Sequence, residues 1–366
     1  MRIVLLALFV TAASAAKLAP YLQSKDAVQN RYFVKVKDEF QVSSVTAKLT
    51  RNFRILRKFT RVFHGFVVEH IGSINTLRGL PFVEYVEDDS IMTAHVEWGC
   101  DRIDQRNLPL DGRMDIYGTG SGAHVFIADT GIRYTHVEFG GRAHPFFDFE
   151  SGRDGADCHG HGTHCGGTAV GETVGVAVDA QVHSVRVLNC QGSGFTSDIV
   201  AGLDAVAASG IQRGVVSMSL GGGASTAMDN GVKNVIAAGY PTAVSAGNSN
   251  ANACNQSPAR VEEADTVGST DSFDRRSSFS NFGSCVDIFA AGTSVRSAYH
   301  TSDTAYATMS GTSMSCPHVA GAIAVHMGAR LCHTGENCKA KLAADATNGV
   351  ISNPGTGSPN LLLYVE

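Results

Sequence analysis

The chain has 366 residues, 43% of them hydrophobic and 17% charged, with a net charge of −5. That is enough apolar material for a large core and enough length for about two domains. Two functional classes are excluded: no basic tract is dense enough for nucleic acid, and no stretch past the N-terminus reaches the roughly 20 apolar residues of a membrane span.

In chain order, Arg2, the apolar run from Ile3 to Val10 and the small residues Ala13-Ser14-Ala15 have the plan of a secretory signal. The expectation is a signal peptide over 1–15 and a soluble, secreted product. Export would place the nine cysteines in an oxidising compartment, where disulfides persist, and the odd count leaves at least one thiol unpaired.

Residues 16–95 read as a small α+β domain. Tyr32-Phe33-Val34-Lys35-Val36, Gly65-Phe66-Val67-Val68-Glu69 and Phe82-Val83-Glu84-Tyr85-Val86-Glu87 are strand-like, with helical stretches from Ser43 and from Ile71. A β-α-β-β-α-β ferredoxin-like sandwich suits this pattern. The basic stretch from Arg51 to Arg61 reads as a solvated face of it.

From about residue 120 the pattern changes. Apolar runs over 123–128, 182–188, 215–220 and 242–246 have the length of buried parallel strands. Between them the stretch from Thr196 to Ala208 places Ile199, Val200, Leu203 and Val206 on one side, with a Thr/Ser start and Gly210 at its end, which predicts a helix. Strands alternating with helices imply an α/β fold over 96–366, a parallel sheet with helices on both faces. In such sheets ligands bind at the strand C-terminal ends, where Asp129, Gly221 and Asn248 fall.

Three motifs carry chemistry. Val125-Phe126-Ile127-Ala128-Asp129 is an apolar strand ending in an acid, His159-Gly160-His161-Gly162-Thr163-His164 sets histidines among small residues that open a helix, and Gly311-Thr312-Ser313-Met314-Ser315-Cys316-Pro317 sets a serine at another helix start. Serine is a weak nucleophile without a histidine base and a carboxylate to orient it, and both lie upstream. Two plainer readings stand beside this one: zinc on His159, His161 and His164, although no HExxH spacing is present, and Ser313 as a helix cap.

The chain order Asp, His, Ser resembles that of the subtilisin-like serine proteases. The proteinase K branch is the nearest match, on Val185-Arg186-Val187-Leu188, Met218-Ser219-Leu220-Gly221-Gly222, Ser245-Ala246-Gly247-Asn248 and Ser278-Phe279-Ser280-Asn281-Phe282-Gly283 over about 96–366. The resemblance implies that Ser313 attacks a peptide carbonyl, that His161, the first histidine of His-Gly-Thr-His, moves the proton, and that Asp129 orients His161. Asn248 and the Ser313 backbone N–H would bind the oxyanion. Gly192-Ser193-Gly194 and Ser219-Leu220-Gly221 would sandwich an extended peptide, and Ser219 to Gly221 with Ser245, Ala246 and Gly247 would line the pocket before the cleaved bond. Those walls carry no acid, so apolar or aromatic residues are expected there.

The resemblance also implies disulfides Cys158–Cys190, Cys254–Cys285 and Cys332–Cys338. Cys100, Cys165 and Cys316 are left over, Cys165 as a buried free thiol by family expectation, with a Cys165–Cys316 bridge open. Structural Ca²⁺ is implied at Asp101, Asp104, Gln105 and Asp111, with Arg113 where relatives can offer asparagine, and at Asp287 with the carbonyls of Glu262 and Ala264. The N-terminal domain resembles the inhibitory propeptide of these proteases, which makes the chain a zymogen cut near Ala94 to Glu97. The product would be a monomer acting on protein or peptide, with its own propeptide as inhibitor. Ala128 and Ser315-Cys316 depart from the commoner residues of the family. The rival expectation is a secreted protein that cleaves itself and then serves only as a binding module.

Overall fold

The computed structural model describes residues 18–24, 27–49, 52–90, 96–150, 152 and 154–366, so the signal expected over 1–15 lies outside the described residues, as do Ala94 and His95 of the expected cleavage region. The chain divides into two compact units, Met1–Ala94 and His95–Glu366.

In the first unit β1 (Tyr21–Leu22), β2 (Ala27–Val36), α1 (Val42–Ala47), β3 (Arg54–Phe59), β4 (Gly65–Glu69), α2 (Ile74–Arg78) and β5 (Val83–Ser90) follow in that order. The sheet order is β1-β5-β2-β4-β3, antiparallel except for the short β1, with a helix after β2 and another after β4. Val34, Val36, Val42, Val45, Phe66, Val68, Leu77 and Val86 form its core. The expected basic face is β3 itself, an edge strand whose Arg54, Arg57 and Lys58 are exposed; charge on an edge discourages pairing with another chain.

The second unit opens with α3 (Trp98–Ile103) and then builds one large sheet from β6 (His124–Asp129), β7 (Ala143–Asp148), β8 (Gln181–Arg186), β9 (Gly214–Met218), β11 (Thr242–Ser245), β13 (Asp265–Thr270), β14 (Ile288–Ala291), β17 (Thr347–Asn348) and β18 (Leu361–Leu362). Two antiparallel ribbons complete the strands: β10 (Gly222–Gly223) with β12 (Gln256–Ser257), and β15 (Val295–Ala298) with β16 (Tyr306–Met309). The order in the sheet is β17-β18-β14-β13-β11-β9-β6-β8-β7, parallel throughout except for the β17–β18 pair.

The helices are α4 (His161–Val170), α5 (Thr196–Ala208), α6 (Thr226–Ala237), α7 (Thr312–Gly328) and α8 (Gly335–Asp345). Strand alternation sends Val125 and Ile127 of β6 into the core shared with α4 and α7, and Phe126 and Ala128 into the core shared with α5 and α6. Burial on both faces is why the strands read as unbroken apolar runs. The chain passes from β8 on one side of β6 to β9 on the other, so direction reverses at β6, and the crevice at its C-terminal end is where such a sheet takes a ligand.

Candidate active site

Asp129 is the last residue of β6 and is fully buried. Its Oδ1 accepts from Thr130 N at 2.7 Å, and both carboxylate oxygens lie 2.9 Å from His161 Nδ1. His161 is the first residue of α4, directly after Gly160, whose left-handed φ of 107° makes the entry turn. A side chain at Gly160 would also run into the rings of Tyr299 and His300. Burial opposes a charged imidazole, but the Asp129 carboxylate and the adjacent Cys165 sulfur together outweigh it and hold His161 well above the ordinary histidine value. With Nδ1 committed to Asp129, Nε2 is the nitrogen left for a proton transfer.

Asp157, which the sequence reading missed, organises this corner. Its Oδ1 accepts from Thr130 Oγ1 and from the N–H groups of His159 and Gly160, each at 2.9 Å. Its Oδ2 accepts from Thr163 N at 2.9 Å and Thr163 Oγ1 at 2.5 Å. An acid placed just before a small-residue helix start was the available signal, since a carboxylate there answers orphan N–H groups.

Ser313 is the second residue of α7, whose N-cap is Gly311, so it is not the cap; its hydroxyl donates out of the helix to Ser219 O at 3.3 Å. Pro317 lies four residues on and has no N–H for the Ser313 carbonyl. That carbonyl is answered instead by Ser219 Oγ at 2.8 Å and by the Cys165 thiol at 3.4 Å. Cys165 Sγ is also 3.9 Å from His161 Nδ1, so one buried thiol touches the His161 ring and the Ser313 backbone together. Cys165 and Cys316 are not bridged: Cys316 donates to Ala243 O at 3.3 Å, and burial raises both thiols, Cys316 to about 12.

Asn248 follows β11. Thr312 fixes its amide by donating N–H at 2.8 Å and Oγ1–H at 2.9 Å to Oδ1, which commits the oxygen and leaves Nδ2 as a donor. A Cβ added to Gly311 would meet Asn248 Nδ2 at 3.5 Å and Ser313 N at 3.6 Å, so both donors face the space over that glycine.

A cleft of about 480 Å³ is lined by His161, by Gly192-Ser193-Gly194 and Ser219-Leu220-Gly221, and by the apolar side chains of Leu188, Ile199 and Met228. A second, of about 260 Å³, opens beside Ser313 and is lined by Ser219 to Gly221, Ser245, Gly247, Asn248, Gln256, Ser257 and Ala259, with no charged group. Ala246 does not belong to that wall. It is fully buried beside Phe289, and its N–H and C=O are used by Val267 O and Asn281 Nδ2, because alternate residues of the strand end face opposite ways.

The histidines flanking His161 do not converge on a metal. His164 Nε2 engages Val295 O at 3.1 Å and Ala307 O at 3.2 Å, and burial with the nearby His161 charge lowers it to about 4. The three disulfides join Cys158–Cys190, Cys254–Cys285 and Cys332–Cys338.

The two expected calcium sites differ. Asp101 accepts from Asp111 N at 3.3 Å and Gly112 N at 2.9 Å, Gln105 Oε1 accepts from Asp111 N at 3.2 Å, and Asp104 Oδ2 accepts from Asp115 N. Asp104 Oδ1 is buried without a hydrogen-bond partner, and burial followed by the charges of Asp111, Asp101 and Asp115 raises its carboxyl to about 6. Crowded carboxylates with an unanswered oxygen fit a hard cation. At Asp287 the residues do not fit one: the ammonium of Lys339, which the sequence reading did not consider, is bound by the oxygens assigned to calcium, Glu262 O and Ala264 O at 2.6 Å and Asp287 Oδ1 at 2.9 Å.

A histidine held by a buried carboxylate, beside a helix-start serine and a peptide-sized cleft on a parallel sheet, with the chain order Asp, His, Ser, defines the subtilisin class of serine endopeptidases. The Subtilase family model matches residues 120–360, and the chain belongs to that family. It is 48% identical over 318 residues to "Extracellular serine proteinase" of Thermus sp. (strain Rt41A), covering 85% of this chain and 78% of that one. It is 38% identical over 360 residues to "Proteinase R" of Parengyodontium album, covering 94% and 92%. The crystal structure of a cold adapted subtilisin-like serine proteinase matches with a TM-score of 0.73 at 47% identity, over 75% of this chain and 99% of that one. The expected α/β fold and serine endopeptidase class therefore hold.

Proposed function

We propose that the chain is an exported zymogen whose mature form hydrolyses peptide bonds after apolar or aromatic residues. The single observation that carries this reading is the pairing of His161 with the buried Asp129 at one cleft, next to a second cleft that holds Ser313 and shares the Ser219–Gly221 wall with the first. Substrate backbone would pair with the Gly192–Gly194 and Ser219–Gly221 segments, and the side chain before the scissile bond would fill the uncharged 260 Å³ cleft.

Rotation about χ1 turns the Ser313 hydroxyl from Ser219 O towards His161 Nε2. His161 then takes the proton as Oγ bonds to the carbonyl carbon, and Asp129 stabilises the imidazolium. Negative charge collects on the former carbonyl oxygen, where Asn248 Nδ2 and Ser313 N–H donate; such donors are preorganised, so they cost no rearrangement in the transition state. His161 returns the proton to the leaving amine, and water repeats the sequence on the acyl-enzyme. Asp101, Asp104, Gln105 and Asp111 would hold a structural Ca²⁺ that neutralises their crowded charge.

The first unit would act as an intramolecular inhibitor until cut off near Ala94 to Glu97. Incubating the secreted protein with a serine-directed fluorophosphonate and casein, then mapping the label and the N-terminus, tests this reading. Labelling at Ser313 with casein hydrolysis is expected, and Ser313→Ala should remain an uncleaved precursor. A processed protein that neither labels nor cleaves casein would make the chain a binding module instead.

A further inference from the structure

We infer that Lys339 is a tethered replacement for the metal ion at Asp287, so that this part of the fold needs no divalent cation. Its Nζ lies 2.6 Å from Glu262 O, 2.6 Å from Ala264 O and 2.9 Å from Asp287 Oδ1. An ammonium has three N–H donors, and here each has an oxygen. Calcium binds oxygens at about 2.3–2.6 Å. An ion on these same three would overlap the nitrogen, so ammonium and metal exclude each other.

The surroundings call for one cation. Asp287 Oδ2 is fixed by Thr266 N–H at 2.9 Å, which aims Oδ1 at the lysine. Asp265 is a second acid, almost wholly buried, and it feels the charges of both Asp287 and Lys339. Of the acids on the adjoining turn, Glu262 adds to the negative field at Asp287, while Glu263 is taken by Lys233 at 3.2 Å.

The lysine is held ready by its helix. It follows Cys338, whose disulfide to Cys332 closes a short loop, and the Thr334–Asn337 capping box fixes the start of α8. Less side-chain and backbone freedom is then lost in placing the ammonium than for a lysine on a free segment. The turn that it holds leads back to Ser257 and Ala259 in the wall of the 260 Å³ cleft, so a covalently attached cation supports that wall.

The test uses mature enzyme inactivated with fluorophosphonate, with bound ⁴⁵Ca²⁺ counted by equilibrium dialysis and Tm measured in EGTA and in saturating calcium. Lys339→Ala is expected to bind one more calcium per chain than the unsubstituted enzyme and to lose Tm in EGTA that calcium restores; adding Asp287→Asn should abolish both effects. An unchanged calcium count with no calcium-restored Tm would overturn the inference. If Lys339→Ala folds only with calcium, that supports it. If it does not fold at all, Asp287→Asn alone and terbium-soaked crystals of the unsubstituted enzyme decide: one calcium lost, or an anomalous peak at Asp287, refutes the inference, and neither supports it.

Discussion

Arg102→Ala should lower the Tm by several degrees through a single stranded charge. Arg102 and Asp274 are almost completely buried and paired in two places, Nε to Oδ1 at 2.7 Å and an Nη2 to Oδ2 bond at 2.9 Å. Arg102 also donates to Gln105 O at 2.5 Å, at the start of the loop that joins the crowded aspartates. Removing one partner of a buried pair costs about 3–5 kcal/mol because the other stays desolvated without compensation. For a folding unit of roughly 270 residues, an unfolding entropy of about 2.1 cal/mol/K per residue makes that about 5–9 °C. Calorimetry on fluorophosphonate-inactivated enzyme at fixed scan rate reads the shift without autolysis. The double variant Arg102→Met, Asp274→Asn keeps a residue tolerant of Asp274's φ of 57° and removes the stranded charge, so it should recover about half the loss. A loss under about 2 °C for Arg102→Ala, or a double variant as unstable as the sum of the singles, would refute the reasoning.

Three further outcomes are expected. His161 is raised above 6.5, so its contribution to stability is present below pH 6.5 and is lost as pH rises through the raised value, whereas hydrolysis needs the neutral ring and is gained over that same range. Asp129→Asn removes the charge that raises it; the acid limb of kcat/KM should move to lower pH while kcat falls by about 10⁴, and an unmoved limb would assign the titration to another group. Gly311→Ala should fold normally, since its extended φ of 163° suits any residue and its Cβ meets nothing nearer than the two donors, yet lose at least about 10² in kcat by crowding the oxyanion. Full turnover of a p-nitroanilide peptide by that variant would place the oxyanion elsewhere. Replacing Cys158 and Cys190 by serine frees a loop of sequence separation 32 and should cost about 3–4 kcal/mol in guanidinium unfolding; an unchanged unfolding midpoint would refute the loop-entropy account.

Much of the site was legible because its chemistry is local. An apolar run ending in Asp129, small residues around His161 and Ser313 before Pro317 each mark a strand end or helix start, and the chain order of the three marks the class. The helix over Thr196–Ala208 has the limits its apolar periodicity and turn residues indicated. The edge strand β3 was hidden because Arg54, Arg57 and Lys58 break the apolar alternation by which a half-buried strand is recognised.

What the sequence by itself determined is whatever follows from neighbours along the chain: alternating strands and helices, residue types at their ends, and the order of the motifs. Tertiary structure alone decided the partners that meet across it. Asp157 gathers the turn before α4, Cys165 supports Ser313 and His161 together, and Ala246 turns from the pocket into the core. Lys339 reaches a carbonyl 77 residues away and takes the position that the family resemblance had given to calcium. An oxygen cradle attracts any cation, and which one fills it depends on where the rest of the chain brings its own positive charge.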